Sequence, residues 1–545
     1  MDPLGESFSE EETKILEKYV TSTTSNIFAL RNLPEVIKGA LFSKYSRSTL
    51  GLRSLLLKEF ISKEEMLFTE ISGEGAANQP LAIAKAQNFY DRILDGYGDD
   101  SIGELGSAHI AFENISMLAC KSIQDSRIGG SPLEKSTRYV YFDQKIDGKY
   151  LYFREPMIMA SAFKELYIRT CDNLFETYSK MIPKLTPIIA ETFPHDPAIS
   201  KGAYNGALRA KVLDCLRGLL PAATMTNMGL FGNGRFYETL LQRLRASNLF
   251  ELTNIASAGF VELNKVIPSF VRRSEEDHKH NIAYNTFMTN MGEDFADVAR
   301  AFNGAFVSTS SEPTVKLIHS SKDAPIHVAA ALLFPYCNSP LESIKEKLKR
   351  TTFSELHAIL EKGWIHRTNR RHKSPRALEH AEFTFEITAD FGIYRDLQRH
   401  RMLTQDKQLL TCNLDYYTPL EIIGTEMEGE YTEALKKAKQ AFTIIAKDLP
   451  QEAQYIVPMA YNIRWYFHIN LRALQWLTEL RSQPQGHISY RKVAQDLCHQ
   501  VIIAYPEFKE FFAFVDFEGH SLGRLDQEIL NEKRQKERAS YNESC

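Results

Sequence analysis

The feature that most constrains this chain is a weak internal repeat. Pro221 is followed twelve residues later by Asn233-Gly-Arg235, and Pro458 is followed twelve residues later by Asn470-Leu-Arg472. Upstream of each, "AHIAFENIS" (108–116) resembles "EHAEFTFEIT" (379–388), with a His, an aromatic three residues on, and the alternation of a half-buried strand. A helical stretch follows each. In the second copy it is "ADFGIYRDLQRHR", where Phe391, Tyr394 and Leu397 form an apolar stripe at helical spacing that leads into Arg399-His400-Arg401. In the first copy "LACKSIQDSRIGGSPLEKSTRYVYF" takes that place. A chance match between two helix-rich halves is the alternative reading of the spacing alone.

Helical periodicity also marks "SAFKELYIRTCDNLFETYSKMI", "GRFYETLLQRLRASNLFELTNIASAGFVELNKVI", "EYTEALKKAKQAFTIIAKDL" and "LRALQWLTEL". Strands are fewer, so the expected class is α+β: two units, each a modest mixed or antiparallel sheet with several long helices. The breaker-rich "RRSEEDHKHN" and "STSSEPT" mark a junction. The expected division is 1–285 for the first unit with an N-terminal helical extension, 286–314 for a linker, 315–520 for the second unit and 521–545 for a charged helical tail.

Composition excludes several classes. The 545 residues are 43% hydrophobic with 65 Lys plus Arg against 69 Asp plus Glu, a net charge of -4, so there is no broad positive field for nucleic acid. The acidic, amphipathic start lacks the pattern of a signal peptide, and "VAAALLF" is too short to span a bilayer. No membrane partner and a cytoplasmic location are expected. The seven cysteines form no CxxC pair, and His278 and His280 have no third ligand nearby, so neither a disulfide framework nor a metal site is expected.

Cations gather in "HRTNRRHKSPRALEH" (366–380), in "RDLQRHR" (395–401), and at Asn470, Arg472 and Arg481. Forked guanidiniums suit phosphate and the carbonyl edge of a heterocycle, although a solvated basic surface has the same composition. The first half offers "SPLEKSTRY" (131–139), in which an extended backbone would project Glu134, Ser136 and Arg138 to one side. A polar edge strand is the plainer reading.

Together these segments resemble the flavin-dependent thymidylate synthases (ThyX), which carry the contiguous signature RHRxxSxxExSxRY. The second copy matches at Arg399, His400, Arg401 and Thr404, but has Lys407, Leu409 and Thr411 in place of Glu, Ser and Arg. The first copy matches at Ser131, Glu134, Ser136, Arg138 and Tyr139, with Ser126, Arg127 and Ile128 where RHR would stand. In the family a late catalytic Arg lies eleven residues after the Asn of NxR; Asn470 leads to Arg481, whereas the first copy has Leu244. A further Arg lies four residues before the Pro; Pro221 leads back to Arg217, whereas the second copy has Gln454. Each copy keeps what the other lost.

The resemblance implies a fused pseudo-dimer with one class of composite site, paired with a second chain into a four-unit shell. It implies FAD as cofactor, with NADPH and methylenetetrahydrofolate as co-substrates and a dUMP-like nucleotide as substrate. Ser374, Arg399, His400, Arg401, Glu134, Asn470 and Arg472 would contact the cofactor. Glu134, Lys135, Ser136, Thr137, Arg138, Arg217, Arg399 and Arg481 would contact the nucleotide, with Arg481 catalytic. Departures are Asp396 where the family has Gln, with Arg395 as the neighbouring cation, and Trp476 where it has a polar residue. The extra "DQKIDGKYLYFREPMIMA" would cap the site or form an unrelated hairpin. The rival readings are a flavoenzyme acting on another pyrimidine nucleotide, for example by hydroxymethylation, a non-catalytic nucleotide-binding scaffold, and RNA binding through "RTNRRHK".

Overall fold

The computed structural model describes residues 7–46, 48–61, 103–303, 313–520 and 522–543. The protein is mixed α+β, with small sheets among many helices. Strand β1 (Ser107–Ser116) runs into helix α1 (Met117–Gln124), and β2 (Gly130–Glu134) follows. A hairpin of β3 (Lys145–Ile146) and β4 (Lys149–Tyr150) turns on Asp147 and Gly148, both at positive φ (49° and 73°), as a two-residue turn matched to strand twist requires. The extra segment of the first half therefore begins as a hairpin. After α2 (Lys164–Thr192) and α3 (Lys201–Leu216), β5 (Met225–Asn233) leads into α4 (Gly234–Arg245), then α5 (Phe250–Val266) and α6 (Lys279–Asn303). In the second half, β6 (Thr314–Ser320) precedes β7 (Glu382–Asp390), which runs into α7 (Phe391–Leu397) and β8 (Leu403–Lys407). Next come α8 (Met427–Ile445), β9 (Asn462–Asn470) running into α9 (Leu471–Arg481), α10 (Ile488–Ala504) and α11 (Leu525–Glu543).

The repeat is visible in the fold. One sheet has the order β1-β5-β2 and the other β6-β7-β9-β8, so β1, β5 and β2 correspond to β7, β9 and β8. Asn233 and Asn470 each cap the helix after the central strand, accepting from the amides of Phe236 and Ala473 at 2.8 and 2.9 Å. Ser116 and Asp390 cap α1 and α7 in the same way. The amides that follow also match: Met117 donates to the Thr224 carbonyl and Phe391 to that of Tyr461, both at 2.9 Å. Shared strand order, caps and cross-links are not what a chance spacing produces.

These caps correct the alignment of the strands. Ser116 corresponds to Asp390, so the His-to-His match slips by three residues, and His380 closes a 3-10 turn before β7 begins. Along α1 and α7 the same register sets Asp125-Ser126-Arg127 against RHR, one residue earlier than expected. The long helical run of the first half breaks between Arg245 and Phe250, where the Ser247 hydroxyl accepts from the Leu249 amide at 3.2 Å.

Two compact units emerge, and they are grouped differently from the order of the repeat along the chain. One comprises Met1–Glu113, Ser126–Glu134 and Asn227–Phe306; the other comprises Asn114–Asp125, Lys135–Thr226 and Val307–Cys545. In the first unit, β2 pairs antiparallel with β5, setting Glu134 opposite Met228, and α6 occupies most of the stretch read as a junction. Residues 304–312, with most of "STSSEPT", lie outside the described residues.

In the second unit, β7 and β9 pair antiparallel and present Phe383, Phe385, Ile387, Phe467 and Ile469 to a closed core. The α7 stripe of Phe391, Tyr394 and Leu397 is buried there, each such side chain stabilising by about 1.5–3 kcal/mol. Tyr394 meets Trp465 edge-on at 5.3 Å. This anchoring fixes where the chain emerges as RHR. Within the same unit Pro221 and Pro458 face each other in an antiparallel bridge, with Ala222 donating to Val457 at 2.9 Å and Met459 to Leu220 at 3.0 Å. Equivalent residues of the two repeats thus meet reciprocally, the rule of a two-fold interface, within one chain. The charged α11 packs along α3, where a Cβ at Gly202 would stand 2.5 Å from Glu532 Oε1. Residues 521, 544 and 545 of the tail lie outside the described residues. Among the described residues no helix is long and apolar enough to cross a membrane.

Candidate active site

The second unit gathers arginines from both repeats. Beyond α7 the chain turns through Arg399, whose Nε donates to the Arg395 carbonyl at 3.0 Å, to the buried His400. Arg481, the last residue of α9, donates from Nε to His400 Nε2 at 3.1 Å. A guanidinium can only donate, so His400 Nε2 carries no proton in this arrangement. Arg481 also lies 5.7 Å from the centre of the Tyr490 ring, and Arg138 of the first repeat lies 5.8 Å from that same ring. Arg138 Nη1 approaches the Tyr490 hydroxyl at 3.4 Å.

Carboxylates sit among these cations. Arg138 forks both oxygens of Asp214, a residue of α3; burial alone would raise the Asp214 pKa, but the Arg138 pair holds it well below the usual range. Arg217 Nη1 lies 3.5 Å from Asp396, while its buried Nη2 has no hydrogen-bond partner among the described residues. Burial likewise opposes ionisation of Asp396, yet Arg399, Arg217, Arg481 and Arg138 outweigh it and keep the carboxylate charged. Arg395 Nη1 reaches Thr137 Oγ1 at 3.4 Å and Met459 Sδ at 3.1 Å.

Beside this cluster opens a cavity of about 680 Å³, lined by Ser374, Arg399, His400, Arg401, Asn470, Arg472 and Arg481 together with Arg370, Arg371, Lys373 and Trp476. The volume is that of an ordinary small-molecule site. Its wall is built by ion pairs. Arg367 forks the fully buried Glu479 at 2.5 and 2.6 Å and donates to the carbonyls of Arg370 and His372, shaping the loop. Arg472 holds the Ser374 carbonyl at 2.9 Å and Glu379 at 2.8 Å, so its charge is spent on the wall. The Ser374 hydroxyl is buried without a hydrogen-bond partner among the described residues. Asn470 lines the cavity while capping α9.

The segment after β2 carries the remaining expected residues of the first repeat. Glu134 closes β2 and belongs to the first unit. Lys135 Nζ lies over the Phe142 ring at 5.2 Å. The extended projection expected of Glu134, Ser136 and Arg138 does not form, because the strand ends at Glu134 and residues 136–140 turn. The Ser136 hydroxyl accepts from the Arg138 amide at 3.2 Å, a local bond that competes with strand. In the second copy Gln454, the counterpart of Arg217, instead accepts from the Leu410 amide at 3.2 Å.

Sequence reasoning missed Asp214, Tyr490 and His487. Asp214 lies one helical turn before Arg217, a spacing that could have flagged it. Tyr490 and His487 carry no motif. His487 Nδ1 accepts from the Ser489 amide at 3.2 Å and Nε2 approaches the Asp214 carbonyl at 3.3 Å, the pattern of a neutral ring. Burial, with Arg217 and Arg138 adding, pushes its pKa down to about 3.

The family of the thymidylate synthase complementing protein matches this chain at residues 59–269 and again at 316–507, and the chain belongs to that family as a tandem pair of its domains. Among its relatives, a UPF0159 protein of Chlamydia muridarum is 54% identical over 521 residues, covering 96% of this chain and 98% of the relative. Another, of Chlamydia pneumoniae, is 51% identical over 527 residues, covering 97% and 98%. A third, of Thermoplasma acidophilum, is 32% identical over 521 residues, covering 90% and 98%.

Proposed function

We propose that this protein is a flavin-dependent thymidylate synthase that converts dUMP to dTMP with FAD, methylenetetrahydrofolate and NADPH, at one composite site drawn from both repeats. The observation that carries the reading is the convergence of Arg138 and Arg217 with Arg399, His400 and Arg481 beside one cavity. A flavin dinucleotide fits that cavity by its cations and by the buried Ser374 hydroxyl, which lacks a partner until a phosphate or ribose oxygen supplies one. Ser374, Arg399, His400, Arg401 and Asn470 would hold it, with Arg472 bracing the wall. When bound, the flavin supplies the hydride and the folate the carbon.

The protein's own groups position and stabilise. Arg138 and Arg217, with Lys135, Ser136 and Thr137, hold the nucleotide phosphate and sugar through charge-assisted bonds. Arg481, fixed by His400 and Tyr490, sets a positive charge against the uracil, stabilising negative charge that develops on its oxygens and N3. Asp214 and Asp396 keep the arginines spread and charged in the absence of substrate. The enzyme acts in the cytoplasm as a pair of chains. Asp396, an anion among the nucleotide arginines, favours as a second reading another pyrimidine nucleotide in place of dUMP.

Reconstitution with FAD followed by tritium release from C5-labelled nucleotides tests both readings. Bound flavin with release from dUMP is expected. Release only from another pyrimidine nucleotide selects the second reading, and protein that gains no flavin absorbance sinks both.

A further inference from the structure

Trp476 is a cavity residue that the mechanism leaves unused. It stands on α9 between Arg472 and Arg481, lines the cavity, and is 43% exposed, although an indole is among the costliest side chains to leave in water. Arg370 lies over its ring at 5.3 Å, and Arg370 Nη1 is buried without a hydrogen-bond partner among the described residues. An indole and a guanidinium stacked at a cavity wall form a flat, polarisable platform, and a further planar ring extends such a stack.

The lining of the cavity falls into two groups of contacts. Arg481 and His400 form the group joined to the nucleotide arginines. Trp476 lies five residues back along α9, roughly 7.5 Å at 1.5 Å per residue. Its partner Arg370 belongs to the loop that carries Arg371, Lys373 and Ser374. For a dinucleotide with its reactive ring at Arg481 and its phosphates at that loop, the Arg370–Trp476 pair is the flat surface left for its purine. We propose that Trp476 and Arg370 form the stacking platform for the adenine ring of the dinucleotide cofactor; this rests on the flavin reading above.

The test is fluorescence titration of the full chain with ADP, FMN and FAD separately, in the wild type and in Trp476→Leu and Trp476→Phe. ADP is expected to quench the wild type and FMN alone to leave the Trp476 contribution in place. Trp476→Leu should lose the ADP response and bind FAD about tenfold more weakly, a change of about 1.4 kcal/mol, while Trp476→Phe retains most of the affinity. Thermal unfolding of both variants should match the wild type, since the ring is half in water. FAD bound equally by Trp476→Leu and the wild type overturns the platform and leaves the flavin reading intact. ADP quenching without FAD binding upholds the platform and removes the flavin reading. No response to any of the three overturns both.

Discussion

Arg481 has its orientation set from two sides, by the imidazole of His400 and by the ring of Tyr490, so a positive charge is in place before any substrate arrives. Preorganised charge of this kind is worth about a hundredfold or more in turnover. Arg481→Ala should therefore lose at least that factor in kcat with an unfolding midpoint near the wild type, and retained turnover would remove Arg481 from the chemistry. His487 makes a pH prediction. Its folded pKa is depressed to about 3 from 6.5, so unfolding takes up a proton that the folded state refuses, and its contribution is present above about 6.5 and lost as pH falls toward 3. Asp390 runs the other way: burial pushes it up to about 6, and its contribution is lost as pH rises through that value. In His487→Asn, which keeps an acceptor for the helix cap, the fall in unfolding free energy between about pH 7 and pH 5 should shrink. Parallel curves for variant and wild type would assign the acid sensitivity elsewhere. Arg138, Arg217, Arg399 and Arg481 could be named from the sequence because they match the family's motif. Asp214 and Tyr490 were not, because a partner that orients a cation is chosen by three-dimensional contact and leaves no period in the chain.

At the scale of elements, the loop from Arg367 to Ser374 is anchored at its start by the Arg367–Glu479 ion pair to a helix more than a hundred residues away and at its end by Arg472 on the Ser374 carbonyl. Removing one partner of a buried pair strands the other charge, at about 3–5 kcal/mol. Arg367→Met should thus lower stability by that order and release the cavity wall, seen as weaker flavin retention, whereas unchanged urea midpoints would mean that Glu479 finds another partner. The long amphipathic helices α2, α8 and α9 and the buried stripe of α7 were readable from apolar spacing, since burial of one face imposes a period. The turn at 136–140 was misread as extended because alternating polar residues satisfy a strand pattern while the Ser136 hydroxyl satisfies the backbone locally. The break after Arg245 escaped for a related reason: the short "ASNL" segment interrupts two helices that are each strongly periodic.

For the whole molecule, the sequence showed two copies but not how the compact units would be cut, because Lys135–Thr226 joins the second repeat through contacts invisible to composition. The loss of Arg217's counterpart, with Gln454 turned to the Leu410 amide, leads to a stoichiometric prediction. Saturating flavin titration should give one bound cofactor per chain, and two would mean that the second composite site still works. The Pro221–Pro458 bridge has a further consequence. In an assembly of identical subunits every substitution is written on both sides of the axis, so no residue can be tuned for one side alone. Here the two sides of the axis are spelled by different stretches of a single polypeptide, and a change on one leaves the other untouched. Fusion makes the two sides independent, so each half is free to take on a residue that the other could not use.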